Sequence, residues 1–181
     1  IDLDDVLKHT KEILSGAILN SGAIINKTDF GKSDDYEGIA AHGSKIYVVE
    51  SNGNIKVINE EQSVKINEYD DELSRDNDVE GLTYNPVSSS ILLAAKGDSE
   101  VDGNEKDEKA VFTMNMADGK IDKDPYLTIN VLEAVKDLPS KNITNNAIVN
   151  LSVTSRLKNF APSGIAIHPE TNDIYLVSSK G

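Results

Sequence analysis

The chain has 181 residues, 38% of them hydrophobic, with no tryptophan and no cysteine. That is enough for one domain or part of a larger one, and the missing cysteines exclude disulfides, thiolate zinc sites and cysteine nucleophiles. Against 31 Asp and Glu stand 18 Lys and Arg, a formal net charge of −13, which repels phosphate backbones and anionic headgroups. Nucleic acid and membrane surfaces are thereby disfavoured as partners, while cations remain open.

Residues 1–15 place Leu3, Val6, Leu7, Ile13 and Leu14 at three-to-four spacing among Asp4, Asp5, Lys8, Lys11 and Glu12, which predicts a short amphipathic helix ended by Gly16. Ala17 to Ile25, with Asn20-Ser21-Gly22 at its centre, reads as a hairpin, and residues up to about 35 complete a lead-in. No apolar run approaches the roughly 18 residues a membrane-spanning helix needs, and no signal-peptide pattern is read, as would also hold for a processed chain.

Residues 36–67 read as a four-stranded unit. Gly38 to Ala41 gives an inner strand, His42-Gly43-Ser44 a turn, and Lys45 to Glu50 a second strand. Asn52-Gly53 then signals a tight hairpin into a third strand, Asn54 to Ile58, and Ser63 to Ile66 supplies a short polar outer strand. Residues 78–130 begin again in the same way, with Gly81 to Tyr84, a turn at Asn85-Pro86, and Ser90 to Ala95. An acidic insertion, Gly97 to Lys109, precedes Ala110 to Met116 and a turn at Ala117-Asp118-Gly119. Val131 to Leu138 has helical spacing ended by Pro139, and residues 131–159 as a whole read as an insertion at the rim. Residues 161–181 open a third unit, with a turn at His168 to Asn172 and a strand over Asp173 to Ser178, and only two of its four strands are visible.

Three phrases tie these units together: Asp35-Tyr36-Glu37-Gly38-Ile39, Asp78-Val79-Glu80-Gly81-Leu82 and Ala161-Pro162-Ser163-Gly164-Ile165. Their glycines lie 43 and then 83 residues apart, a period of one and then about two units. A four-stranded unit of about 40–45 residues suits a blade of a β-propeller. The predicted fold is therefore all-β, a partial β-propeller of about three blades with the last truncated, plus a short N-terminal helix and a helical insertion. A propeller closes with about four to eight blades, so the remaining blades are expected from the same longer chain or from another chain.

The repeated phrases, together with Ile46-Tyr47-Val48-Val49, Leu92-Leu93-Ala94-Ala95-Lys96-Gly97, Ile165-Ala166-Ile167-His168-Pro169 and Ile174-Tyr175, resemble the bacterial SdiA-regulated propeller family over roughly residues 23–181. That family is distantly similar to calcium-dependent phytase and gluconolactonase-type propellers. The resemblance implies an exported protein, periplasmic, secreted or anchored to the cell envelope. It does not supply a reaction.

In a propeller the first strand of each blade lines a central channel. Glu37 and Glu80 hold matching positions, so their carboxylates are expected to converge, and two such groups repel unless a cation or shared proton intervenes. Calcium, with six to eight oxygen ligands, suits that arrangement, and Ser163 offers a neutral oxygen in the third copy. The plainer alternative is that each Glu accepts backbone N–H bonds and fixes strand geometry. Asp98, Glu100, Asp102, Gly103 and Asn104 begin like an EF-hand loop, but Lys109 falls where the closing Glu belongs, so a solvated acidic loop is expected. His9, His42 and His168 show no ligand spacing. Among the cations, Lys96 and Arg156 are candidates for anionic contacts, with Lys96 expected to lay its aliphatic stem along the sheet. Tyr47, Tyr84 and Tyr175 are expected to pack in the core or between blades.

Two functions follow as expectations: a binding or scaffold module with calcium near the channel, taking a protein partner or small-molecule ligand, or a calcium-dependent hydrolase, a phosphoesterase or lactonase, in which the metal activates water.

Overall fold

The computed structural model describes residues 27–32, 34–70, 72–97, 99, 108–131, 133 and 159–179. All ten elements among them are strands: β1 (Tyr36–His42), β2 (Lys45–Glu50), β3 (Ile55–Asn59), β4 (Val64–Tyr69), β5 (Val79–Asn85), β6 (Ser90–Ala95), β7 (Glu108–Met114), β8 (Leu127–Asn130), β9 (Pro162–Ile167) and β10 (Ile174–Ser178). They form three antiparallel sheets, β1-β2-β3-β4, β5-β6-β7-β8 and the two-stranded β9-β10. The expected helices over 1–15 and 131–138, apart from Val131 and Glu133, lie outside the described residues, as do the hairpin of 17–25 and most of the acidic loop.

Strand order and most turns follow the sequence reading, with two shifts. The fourth strand of the first sheet runs to Tyr69 rather than Ile66. In the second sheet the turn at Ala117-Asp118-Gly119 closes only an isolated bridge, Met114 to Ile121, and the outer strand forms later, at Leu127–Asn130. Asp122 to Pro125 intervene, and Pro125 has no N–H to offer a ladder.

The three sheets share one register. Gly38 pairs with Val49, Gly81 with Ala94 and Gly164 with Val177; the next pairs are Ile39 with Val48, Leu82 with Leu93 and Ile165 with Leu176. Alternation along a strand puts the two sets on opposite faces. Tyr47, Val49, Ile55 and Val57 of the first sheet meet Leu82, Ile91, Leu93, Phe112 and Met114 of the second in one core. Each large aliphatic side chain buried there contributes about 1.5–3 kcal/mol.

The second sheet is buried on both faces, since Leu92, Ala94 and Val111 are as inaccessible as the residues of the shared core. That explains why β6 reads Ile91-Leu92-Leu93-Ala94-Ala95 without alternation. β10 has an alternating pattern instead, with Tyr175 and Val177 exposed. Tyr175 therefore departs from the expected core role, whereas Tyr47 is fully buried and Tyr84 stacks on His42 at 3.8 Å between ring centroids.

β5 packs between β1 and β9, and the repeated glycines make this possible. A Cβ on Gly38 would lie 3.0 Å from the Leu82 Cβ, the Leu82 nitrogen and the Val49 Cγ1. A Cβ on Gly81 would lie 3.0 Å from the Ile165 nitrogen and 3.1 Å from Gly164. Both distances are tighter than most real Cβ contacts, so a side chain there would push its neighbours back, and glycine allows the first strands of neighbouring sheets to approach closely.

Candidate functional site

Glu37, Glu80 and Ser163 occupy equivalent places for a definite reason: each is the extra residue of a β-bulge. Tyr36 and Gly38 oppose the consecutive residues Glu50 and Val49, leaving Glu37 unmatched. Glu80 lies between Val79 and Gly81 opposite Ala95 and Ala94, and Ser163 between Pro162 and Gly164 opposite Ser178 and Val177. A bulge interrupts the ladder and re-aims its side chain, so these positions are released from the regular alternation of the sheet.

Glu37 and Glu80 do come within electrostatic reach of each other. Burial pushes the Glu37 carboxyl above its ordinary value, and the charges of Glu80, Asp35 and Asp78, with a hydrogen bond to Asp35, push it further. The bulges thus gather two Asp-x-Glu pairs, Asp35 with Glu37 and Asp78 with Glu80.

The pairs are compensated differently. Lys96, at the end of β6, bonds Glu80 and lies 3.2 Å from the Asp78 carboxylate. The hydrogen bond to Glu80 raises its ammonium above the ordinary value; burial opposes that, and Asp78 adds to it. Lys96 is therefore an ion-pair partner rather than a stem laid along the sheet. In the first sheet Ser51 takes the corresponding place. Its hydroxyl donates to Asp35 at 3.1 Å, and its N–H to the Asp35 carbonyl at 3.0 Å, as the Lys96 N–H does to Asp78 at 2.9 Å. A hydroxyl cannot neutralise a carboxylate. Among the described residues no ion pair engages Glu37.

Ser163 donates its hydroxyl to the Val177 carbonyl at 3.4 Å, and Ala161 stands where Asp35 and Asp78 stand in the other copies, so the third bulge is uncharged. His168 caps its turn, its Nδ1 accepting from the Thr171 and Glu170 N–H groups at 3.1 and 3.3 Å. Asp98, Glu100, Asp102, Gly103, Asn104, His9 and Arg156 lie outside the described residues.

Sequence reasoning missed Asp35, Asp78, Ser51 and the pairing of Lys96. The aspartates were visible at the same 43-residue spacing as the glutamates. The match of Ser51 to Lys96 was masked because the turn from β5 to β6 is longer than that from β1 to β2, shifting the spacing to 45.

Among the described residues no three His, Asp or Glu side chains converge as ligands. Comparison with protein-family models and with curated proteins gave no match for this chain.

Proposed function

We propose that the three sheets are neighbouring blades of a β-propeller and that the chain is a binding module, its bulged strand starts forming an anionic seat for a hydrated calcium ion and for a ligand bound through it. One observation supports it most: Glu37 feels the charges of Glu80, Asp35 and Asp78, and of these four carboxylates only Asp78 and Glu80 are paired with an ammonium, Lys96. Such a cluster carries excess negative charge that a cation relieves. Glu37 would hold the ion, Asp35 would assist it, and Ser163 would offer a neutral oxygen from the third bulge. When bound, calcium supplies a positive charge that draws an anionic or carbonyl oxygen into the seat. Glu80 stays with Lys96. The packing of Gly38 on Leu82 and of Gly81 on Ile165 supports the blade arrangement, because it repeats one sheet-to-sheet contact.

The alternative, a calcium-dependent phosphoesterase or lactonase, has less support. Holding an anionic substrate calls for free cations, and Lys96 is engaged by two carboxylates. Calorimetric titration with calcium tests the binding reading. Uptake by the native chain that Glu37→Gln abolishes is the expected result; equal uptake by both would remove Glu37 from the site.

A further inference from the structure

One position separates the three bulges. Ser51 and Lys96 each directly follow the residue that pairs with the strand position ahead of the bulge, Glu50 opposite Tyr36 and Ala95 opposite Val79. Each donates its N–H to the aspartate carbonyl of its own copy, at 3.0 and 2.9 Å, so the two side chains leave the backbone from matching places. Lys96 uses that place to pair with both carboxylates of its copy, Asp78 at 3.2 Å and Glu80. Ser51 reaches only Asp35, donating its hydroxyl at 3.1 Å. In the third copy Ser179 follows Ser178, which pairs with Pro162 ahead of that bulge, and Ala161 and Ser163 bring no charge. Charge is thus answered in the second copy and lacking in the third. In the first, among the described residues, no ion pair engages Asp35 or Glu37.

We propose that the residue at this position decides what neutralises a bulged Asp-x-Glu pair: lysine supplies an ammonium from within the chain and closes the pair to other cations, whereas Ser51 leaves Asp35 and Glu37 open to a cation from solution. Ser51 is then the specificity-determining residue of the seat, through the charge it lacks. The physical reason is competition. An opposite charge within about 4–6 Å satisfies a carboxylate, and a tethered ammonium faces its partners at an effective concentration of about millimolar or above. An ion entering the second bulge must displace Lys96, while the first bulge presents no such obstacle. The external half of this inference rests on the cation seat proposed above; the internal half is read with no ion present.

Exchanging the two side chains tests it. Ser51→Lys is compared with Ser51→Gln, which adds similar bulk without charge, and with Lys96→Ser, by calcium calorimetry and by thermal melting in chelator. Ser51→Lys should weaken calcium uptake by about tenfold or more, and Ser51→Gln should leave it within about threefold of the native chain. Lys96→Ser should add a second uptake site. In chelator, Ser51→Lys should melt about 1–4 °C above the native chain, and adding Asp35→Asn and Glu37→Gln should erase that gain. A gain that survives those two substitutions, or equal loss of uptake in Ser51→Gln and Ser51→Lys, overturns the proposal. So does a native chain that takes up calcium together with a Lys96→Ser chain that gains no site, and this arm decides even where Ser51→Lys fails to fold. A native chain that takes up no calcium removes the seat itself, and the melting comparison alone then decides whether position 51 governs the charge of the pair.

Discussion

Leu82 lies so close to Gly38 that a Cβ on the glycine would come within 3.0 Å of both its Cβ and its backbone nitrogen. That contact couples the first two sheets where their glutamates bulge, and it sets the first of four expectations.

Gly81→Ala should destabilise the chain by about 1–3 kcal/mol, the usual cost of forcing atoms into a packed contact. Its new methyl meets backbone atoms of Gly164 and Ile165 that cannot turn aside. Gly38→Ala should fall in the same range, and Gly164→Ala within about 0.5 kcal/mol of the native chain, as for an unhindered surface change. Urea unfolding of the three variants checks this; equal losses at all three positions would contradict the stacking.

Lys56 and Glu50 form a buried ion pair on the face of the first sheet away from the core, with side chains only 7% and 4% exposed. Burial pulls the Lys56 ammonium down, but hydrogen bonds to Glu50 and to Tyr36, the latter 2.7 Å away, outweigh it and hold the group above its ordinary value. Lys56→Met strands the Glu50 carboxylate with, among the described residues, only the Asn54 amide, 3.3 Å away, as a remaining side-chain donor. The expected loss is about 3–5 kcal/mol, and a double variant with Glu50→Leu should recover most of it. Chemical denaturation of single and double variants measures both, and a double variant no better than Lys56→Met would argue against a stranded charge.

Tyr47 is 1% exposed, and its hydroxyl has no hydrogen-bond partner among the described residues. Burial, with a further contribution from Tyr69, raises its phenol above the ordinary value. Removing an unpaired buried hydroxyl relieves its desolvation cost, so Tyr47→Phe should stabilise by about 1 kcal/mol. A drop in melting temperature for this variant would reveal a bound partner for the hydroxyl.

Glu37 should give stability an opposite dependence on pH from that of a salt-bridged acid. Its carboxyl is raised in the folded chain by burial and by Glu80, Asp35 and Asp78, so the fold binds that proton more tightly than the unfolded chain does. The favourable contribution is present at acid pH and is lost as pH rises through the raised value. Without calcium, Glu37→Gln should therefore stabilise the chain at neutral pH and flatten the acid limb of its stability profile. With calcium, the native chain should gain melting temperature and the variant should not. A variant less stable than the native chain at neutral pH without the ion would show that Glu37 is satisfied rather than strained.

The strand pattern was open to inspection because it rests on local chemistry. Turn formers such as Asn52-Gly53 and Asn85-Pro86 mark where the backbone reverses, and runs such as Ile91 to Ala95 have nowhere to go but a core. The repeated Asp-x-Glu-Gly phrase even marked the residues that meet. The bulges were not legible, because an unmatched residue exists only relative to the strand opposite. Nor was the engagement of Lys96, whose counterpart Ser51 is displaced in sequence by a longer turn.

From the chain alone came the strands, their grouping and the equivalence of Glu37, Glu80 and Ser163, since each depends on residues close in sequence or repeated at a fixed interval. Tertiary structure alone decided which of those positions is charge-compensated and which sheet face is covered. Both depend on what folding brings alongside: an ammonium beside Glu80, a hydroxyl in the corresponding place of the first sheet, and no atom of the described residues within 4 Å of a Cβ on Gly164.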